Sequence, residues 1–289
     1  MKSNAFSMLV AGASAGILAA AFMALGFVLE LSSAQLIWPA FVTGFMLGLV
    51  GQHLKSSLLA AIDNRAQTLR RKLERVHRGL GDVHGLVRLG PYTERLPLPF
   101  GGGWALTGDS AAILAREVIL GKPTTVVELG SGVSTLVVGQ ILARQGTGKL
   151  ISVDHDAEWA ARTRANVVEL GLESVVTVIH APLTQIDAGG RQSEWYDLDP
   201  DLLASVDQID FLIVDGPPQK SQEKTATRFP AFPVFRNKLS RKAIIFVDDA
   251  ARSTESSMIK EWLGLYDGWK AEFYDTVDGV SLLTWHDPN

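Results

Sequence analysis

The stretch that decides the fold is Val126-Val-Glu-Leu-Gly-Ser-Gly-Val-Ser-Thr135. Its apolar, β-branched start predicts the end of a buried strand. Gly-Ser-Gly predicts a tight turn, and the residues that follow predict a helix. Such a turn lets backbone N–H groups and a helix N-terminus approach a ligand, although it also suits any α/β protein. The dinucleotide fingerprint would place a third glycine or alanine at Thr135, which disfavours an NAD site.

Strands and helices alternate along the rest of the chain, as a doubly wound α/β sheet requires. The predicted strands are 125–129, 150–154, 175–180, 209–215 and 243–248. The predicted helices are 133–145, 157–171, 229–239 and 254–265. Two further apolar runs, 270–275 and 280–285, flank the turn Asp278-Gly279 and predict a terminal hairpin. We therefore expect a mostly parallel, seven-stranded sheet.

Carboxylates end three of these strands. Asp154 follows the second strand, 22 residues after Gly132, where an acid can accept both ribose hydroxyls of an adenosyl group. Asp215 stands at the end of the fourth predicted strand, and Asp248 and Asp249 stand at the end of the fifth. Neighbouring carboxylates repel one another unless a cation or a proton intervenes, so these three predict a hard-cation site such as Mg²⁺.

The acid two residues before the first glycine, Glu-x-Gly-x-Gly, resembles motif I of the class I S-adenosylmethionine (SAM)-dependent methyltransferases. The terminal antiparallel hairpin is also similar to theirs. Over residues 95–286 the chain most resembles the catechol-O-methyltransferase-like bacterial branch. The motifs that carry this resemblance are Gly102-Gly-Trp104, Glu128-Leu-Gly-Ser-Gly-Val-Ser-Thr135, Asp154-His-Asp-Ala-Glu-Trp159, Asp215-Gly-Pro-Pro218 and Asp248-Asp249.

The resemblance implies a set of cofactor-binding residues, among which residues 107–110 would close over the amino-acid end of SAM. The set is Thr107, Asp109, Ser110, Glu128, Gly130, Ser131, Gly132, Ser134, Asp154 and Ala181. The segments 186–206 and 216–230 are expected to face the acceptor, whose identity they do not reveal.

For catalysis, the resembling O-methyltransferases hold a metal with an aspartate after strand four and an Asp-Asn pair after strand five. This chain has Asp215 and Asp248 at the first two positions and Asp249 where the asparagine would stand. The resemblance implies Lys220 as general base beside the catalytic Asp215, although the lysine of the resembling enzymes stands nearer to that aspartate. If no metal is needed, His155 or His180 are the next candidates for the base. A second interpretation keeps Asp215 as a SAM or substrate contact and makes Asp248 and Asp249 caps of the helix near 254.

The N-terminal part has the composition of a membrane anchor. No charged residue occurs from 3 to 29 or from 31 to 54, and either run could cross a hydrocarbon core of about 30 Å. These lengths favour a two-helix hairpin over a signal peptide. Basic residues precede the first run and follow the second, whereas the connection carries only Glu30. The positive-inside rule then places both termini and the catalytic domain in the cytoplasm, at the inner membrane.

A basic helix is expected at about 55–80, ending at Gly81 and Gly85. Its apolar residues recur every three or four positions and form an a/d seam. The seam is Leu59, Ile62, Ala66, Leu69, Leu73, Val76 and Leu80. It predicts a homodimer through 55–80, packing on the soluble domain, or contact with the membrane surface. The predicted domains are 1–54, 55–85 and 86–289.

Charge and cysteine content limit the partners. The chain has 289 residues and a net charge of −4. Residues 1–80 carry eight basic and three acidic residues (net +5), and the remainder carries 19 and 28 (net −9). An acidic catalytic part disfavours nucleic acid as a partner. The absence of cysteine excludes disulfides and thiolate metal sites. Taken with these features, the resemblance implies a membrane-anchored, SAM-dependent, metal-assisted O-methyltransferase acting on a small or lipid-like acceptor. A metal-independent methyltransferase and a non-catalytic nucleotide-binding scaffold are the alternatives.

Overall fold

The computed structural model describes residues 20–21, 24–25, 33–93, 106–201, 206–219 and 226–286. Three predicted features lie outside these residues. They are most of the first membrane helix with Glu30, the Gly102-Gly-Trp104 motif, and Lys220. The chain divides into two compact units, Met1–Arg75 and Val76–Asn289. The second unit begins before the predicted boundary at residue 86.

The second unit is built around one large sheet. In chain order its strands are β1 Thr125–Leu129, β2 Lys149–Asp154, β3 Val176–His180, β6 Ile209–Val214, β7 Leu239–Val247, β8 Trp269–Tyr274 and β9 Val280–Trp285. They lie in the order β3-β2-β1-β6-β7-β9-β8. The first five are parallel, whereas β9 runs antiparallel between β7 and β8. This is the seven-stranded α/β methyltransferase fold, as the sequence predicts.

Helices cover the sheet because its strands are apolar on both faces. The helices wholly within the second unit are α2 Gly108–Gly121, α3 Val133–Gln145, α4 Ala157–Glu169, α5 Ala231–Phe235 and α6 Ser253–Leu265. A further helix, α1 Ser33–Thr93, includes residues of both units. Val126 belongs to one hydrophobic cluster and Val127 to another, and Phe211 and Leu212 divide in the same way. Consecutive residues of β1 and β6 are therefore buried on opposite faces, as expected for central parallel strands.

Helix α1 differs from the prediction because it continues through Gly81 and Gly85 to Thr93. An interior glycine costs only about 1 kcal/mol relative to alanine, which neighbouring helix formers can offset. Gly85 also has a packing role, since a Cβ there would overlap the main chain of Gly108 in α2. The glycines that indicated a helix end are compatible with a helix, and one of them permits close helix packing.

Two other regions differ from the prediction. Residues in and just before the expected acceptor-facing segment 186–206 form a small antiparallel sheet of β4 Leu183–Ala188 and β5 Arg191–Tyr196. The helix expected at 229–239 is reduced to α5 and a 3₁₀ turn at Arg236–Lys238, after which β7 begins at once. Pro233 would be an interior residue of the expected helix, where proline is disfavoured, and it lies in the first turn of the observed one, where proline is tolerated.

Candidate active site

The glycine turn after β1 meets the end of β6. Gly130 has φ +96°, which L-residues rarely adopt, and a Cβ there would lie 3.1 Å from the Asp215 main chain. Gly132 is extended, and a Cβ there would find only Trp159 Nε1, at 3.7 Å. The sequence assigns both glycines to cofactor contact. Gly130 is also required by the packing of the strand ends, whereas Gly132 has space beside it.

Glu128, near the end of β1, is connected to this turn by hydrogen bonds. Its side chain is fully buried, and its Oε2 accepts hydrogen bonds from Thr135 Oγ1 (2.5 Å) and Ser152 Oγ (2.6 Å). Thr135 Oγ1 in turn accepts from the Gly132 N–H at 2.9 Å. Burial raises the pKa of Glu128 to about 7, although nearby hydroxyl groups, that of Ser134 first, act in the opposite direction. Thr135, which departs from the dinucleotide fingerprint, therefore connects the turn to the buried acid.

Asp154 is buried at the end of β2 and is surrounded by donors. Its Oδ2 accepts from Ser131 N (2.9 Å) and Ser131 Oγ (2.7 Å), and its Oδ1 accepts from Asp156 N (3.0 Å). His155 Nδ1 lies 3.5 Å from Oδ1. Burial alone would raise the pKa of Asp154, but these hydrogen bonds, that of His155 foremost, hold it below its ordinary value. Asp156 caps α4 by accepting from Trp159 N at 2.8 Å.

The three predicted acids converge at the ends of β6 and β7. Each of Asp215, Asp248 and Asp249 offers a carboxylate oxygen, and these oxygens lie within 4.8 Å of one another. A guanidinium lies among them. Arg228 Nη2 contacts Asp249 Oδ2 at 2.9 Å and Asp215 Oδ1 at 3.4 Å, and Nη1 donates to the Asp248 carbonyl at 3.0 Å. Arg252 Nη2 contacts the other Asp249 oxygen at 2.7 Å.

Burial dominates the electrostatics of this cluster. It raises the pKa of Asp248 well above its ordinary value, and the neighbouring carboxylates add to the rise. Burial also raises the pKa of Asp215, against the opposing effect of Arg228. Asp248 Oδ1, Arg228 Nε and Tyr196 Oη have no hydrogen-bond partner among the described residues. Because unpaired buried polar atoms are costly, these three atoms mark a place for a polar ligand.

A cavity of about 450 Å³ joins the two groups of acids. The predicted site residues that line it are Gly130, Ser131, Asp154, His155, Asp215, Asp248 and Asp249. Residues to which the sequence assigns no role in the site also line it, among them Trp159, Tyr196, Arg228, Arg252 and Asp278. This position, at the carboxyl ends of parallel strands, is where open α/β sheets bind ligands.

Residues 107–110 have a different environment from the one expected. Thr107 Oγ1 donates to Asp109 Oδ1 at 2.7 Å, and Ser110 Oγ lies 3.0 Å from Thr276 Oγ1. Asp109 Oδ2 accepts from Val277 N at 2.9 Å. These groups bind the loop between β8 and β9, and none of the three predicted residues is among those lining the cavity. Their assignment to the amino-acid end of SAM stays a prediction.

The remaining predicted residues divide between supporting and lining positions. The Ser134 hydroxyl acts to lower the pKa of the buried Glu128, and Ala181 N donates to the Asp154 carbonyl at 2.8 Å. Among the candidate bases, His155 lines the cavity, whereas His180 Nε2 lies 3.2 Å from the His155 carbonyl. The structure thus distinguishes the two histidines that the sequence treats alike.

Arg228 is the most important residue that sequence reasoning missed. It lies in the segment 216–230, which carries no recognisable motif, and its side chain is 2% exposed. The one available signal was Asp249, because an acid in place of the expected asparagine adds a charge that needs a partner. Tyr196 was missed because it ends β5, which was not predicted.

The predicted metal does not fit this arrangement. Mg²⁺ requires oxygen ligands at about 2.0–2.1 Å in near-octahedral geometry. Both Asp249 oxygens already contact guanidinium groups, and Asp215 Oδ1 faces the same Arg228 Nη2. A divalent ion bound to these oxygens would lie beside a fixed positive charge. The convergence of the acids is therefore confirmed, but the cation among them is an arginine.

Comparisons with known proteins agree with the class that the fold and site define, an α/β methyltransferase domain. Residues 127–250 match the family model described as a methyltransferase domain. The prediction of a methyltransferase is thereby confirmed for this part of the chain. A search of curated proteins found no match.

Several solved structures are similar to the chain. The SAH-bound methyltransferase PaMTH1 of Podospora anserina has 16% identity and a TM-score of 0.49, covering 70% of this chain and 88% of that one. The SAM-bound O-methyltransferase TomG of Streptomyces achromogenes has 16% identity and a TM-score of 0.46, covering 70% and 89%. The SAH-bound O-methyltransferase of Bacillus cereus has 14% identity and a TM-score of 0.46, covering 68% and 96%. With TM-scores below 0.5, the fold assignment rests on the strand order and the family match.

Proposed function

We propose that the chain is a membrane-anchored methyltransferase that uses SAM to methylate an oxygen of a small or membrane-associated acceptor. The observation that carries this proposal is the cavity in which the turn at Gly130 and Ser131 and the carboxylate of Asp154 lie opposite Asp215 and Asp248. One side offers groups suited to an adenosyl moiety, and the other offers charged groups suited to a reacting hydroxyl.

The proposed position of the cofactor rests on the hydrogen bonds that the Asp154 carboxylate already accepts. A carboxylate has about four acceptor positions. The structure uses two on Oδ2, and on Oδ1 it has the Asp156 N–H and a longer contact of 3.5 Å from His155 Nδ1. A ribose hydroxyl would take the place of the long His155 contact on Oδ1. Ser131 is held against Asp154 by two hydrogen bonds, so the turn is pre-organised before the cofactor arrives. We place the amino-acid end of SAM beyond Gly132, where a side chain would meet little else.

Methyl transfer requires one bond to form while another breaks. The acceptor oxygen would attack the sulfonium methyl carbon in line, so that the C–O bond forms as the C–S bond breaks and S-adenosylhomocysteine leaves. The hydroxyl proton would pass to a base. Lys220 stays the predicted base, and His155 is the imidazole that lines the cavity. Such a positioned base typically contributes about 10²–10⁴-fold in rate.

Anchoring to the membrane is proposed from composition and exposure. One described helix, within Phe41–Thr93, is long and apolar enough to span a membrane by those two criteria. Its early apolar side chains are exposed; Phe41, Phe45 and Leu49 are 68%, 59% and 48% exposed. Lipid would cover such a surface favourably. With the basic residues after position 54, the positive-inside rule orients both termini toward the cytoplasm.

A homodimer through residues 55–80 is proposed on the same grounds. The seam residues Leu59, Ile62, Leu69 and Leu73 are all more than half exposed. A second copy of the chain would bury them in a parallel coiled coil of about three heptads. Cross-linking in intact membranes tests this contact, and exclusively monomeric chains would contradict it.

The decisive experiment is calorimetry of the full-length protein in detergent micelles with SAM and with NAD, followed by a turnover assay. We expect SAM to bind and NAD not to bind. Binding of NAD without SAM would favour a dinucleotide enzyme, and SAM binding without turnover on any hydroxylated acceptor would favour a scaffold. A reporter fused after Asn289 tests topology, and activity of that reporter only outside the cytoplasm would overturn the orientation.

A further inference from the structure

The acidic end of the cavity contains its own cation. The Arg228 side chain is buried and contacts all three acid-bearing residues, two through carboxylates and Asp248 through its carbonyl. A buried guanidinium in hydrogen-bonding contact with several oxygens is a strong electrostatic element, because it stays charged and presents donors in a fixed plane.

The two residues that flank Arg228 in the chain are both held by hydrogen bonds. Before it, Thr227 Oγ1 donates to the Pro217 carbonyl at 3.2 Å, which ties the turn to the segment after β6. After it, the Phe229 carbonyl accepts from Trp262 Nε1 at 3.0 Å, in the core beneath α6. The guanidinium is thus delivered by two anchored neighbours. It is not a mobile surface side chain that happens to reach the acids.

Among the three acids, Asp249 is the one whose carboxylate lies closest to the Arg228 guanidinium. Asp249 has φ +59°, and its two carboxylate oxygens contact Arg228 and Arg252 respectively. The other two acids, Asp215 and Asp248, lie within the same 4.8 Å group. Removal of the Arg228 and Asp249 charges together would leave the net charge of the cluster unchanged. It would also open the space that a metal ion needs beside the remaining two carboxylates.

We infer that Arg228 is the internal cation of this site and takes the electrostatic place of a divalent metal. The inference deepens the proposed function, on which its consequence for turnover rests. Arg228 would neutralise the acids that surround the acceptor and hold them in position, so that an oxygen losing its proton does not face uncompensated negative charge. Methyl transfer would then require no metal ion.

The first test measures metal binding and needs no substrate. Full-length protein in micelles is titrated with Mn²⁺, which electron paramagnetic resonance reports, with and without SAM. The wild type should show no stoichiometric site. The double variant Arg228→Met/Asp249→Asn should gain one, because it removes the competing cation and keeps an oxygen ligand. Asparagine tolerates the left-handed backbone at this position.

A matched control removes the other arginine. Arg252→Met/Asp249→Asn makes the same charge change but leaves Arg228 in place, so it should gain no site. If the Arg228 double variant folds poorly, its thermal midpoint with Mn²⁺ replaces the titration, and Mn²⁺ should raise that midpoint in this variant alone. A stoichiometric Mn²⁺ site in the wild type that Asp248→Asn abolishes would overturn the inference. Failure of the Arg228 double variant to gain either signal would overturn it as well.

The second test uses turnover. Wild-type methyl transfer should be unchanged in excess chelator, and Arg228→Met should lower kcat by about 10²–10³-fold, the usual effect of losing a pre-organised charged donor. Loss of wild-type activity on chelation, restored by Mg²⁺, would contradict the inference. If no SAM binding or transfer is found while the Mn²⁺ results are as expected, the proposed function fails and the assignment of Arg228 stands.

Discussion

The two groups of acids in the cavity lie at the same edge of one sheet, yet their electrostatics are opposite. At the end of β2, Asp154 receives hydrogen bonds from nearby main-chain and hydroxyl donors, and its pKa is lowered. At the ends of β6 and β7, Asp215 and Asp248 are buried with other carboxylates, and their pKa values are raised. Local hydrogen-bond donors thus keep one carboxylate ionised, whereas the other group depends on Arg228 from a separate turn.

The largest expected effect is a loss of stability when Arg228 is removed from beside Asp215, Asp248 and Asp249. Arg228→Met should lower the free energy of unfolding by about 3–5 kcal/mol, because it leaves buried carboxylates without their partner. Arg252→Met should cost at most about 1 kcal/mol, since that side chain is 46% exposed. Urea denaturation in micelles, followed by tryptophan fluorescence, measures both. If both variants lose the same free energy of unfolding, the buried position of Arg228 does not make its ion pairs more important than those of Arg252.

Glu128 connects the two groups, because its charge acts on both Asp154 and Asp215. Its pKa is about 7 in the folded protein, above the ordinary value of 4.5, so the unfolded state releases this proton at lower pH. The corresponding stability is fully present below pH 4.5 and is lost as pH rises through 7. Glu128→Gln removes this dependence. Its stability relative to wild type should rise by about 2–3 kcal/mol between pH 5 and pH 8.

Unfolding curves of wild type and Glu128→Gln at several pH values test this linkage. Gln keeps an oxygen that can accept from Thr135 and Ser152, so a constant difference between the two proteins would mean that Glu128 is ionised throughout.

For Asp154, which has its donors nearby, the comparison is sharpened by measuring how tightly SAM binds. Asp154→Ala should weaken SAM binding by about 1.5–3 kcal/mol, the usual contribution of hydrogen bonds to a charged group. Ser131→Ala removes a donor to Asp154 but leaves the carboxylate, so its effect should be smaller. Calorimetry measures both affinities, and an unchanged affinity in Asp154→Ala would remove the ribose assignment.

The smallest expected effect distinguishes the two glycines of the turn. Gly130→Ala should destabilise the fold by about 1–2 kcal/mol, because its positive φ and the nearby Asp215 main chain resist a side chain. Gly132→Ala should leave the thermal midpoint nearly unchanged and instead weaken SAM binding. A fold that tolerates both substitutions equally would contradict the packing role of Gly130.

Sequence reasoning predicted the elements whose signals are local. The apolar runs of β1, β2 and β6, the glycine turn and the acids at the strand ends were all located because each depends on a few consecutive residues. The hairpin of β4 and β5 was missed, since its strands are largely polar and exposed on one side. The extent of α1 was misjudged because glycine indicates a helix end only when no packing partner favours its continuation.

By itself, the sequence determined the class of the protein: the order of strands and helices, the motif at Glu128–Gly132 and the three acids that end neighbouring strands follow from local patterns. Only the tertiary structure decided how those acids are neutralised. Arg228 stands 13 residues after Asp215 and 20 before Asp248, in a turn without a recognisable motif. Its contacts form because Thr227 and Phe229 are anchored to separate parts of the domain. Electrostatic interactions depend on distance in space, and no spacing along the chain encodes that distance.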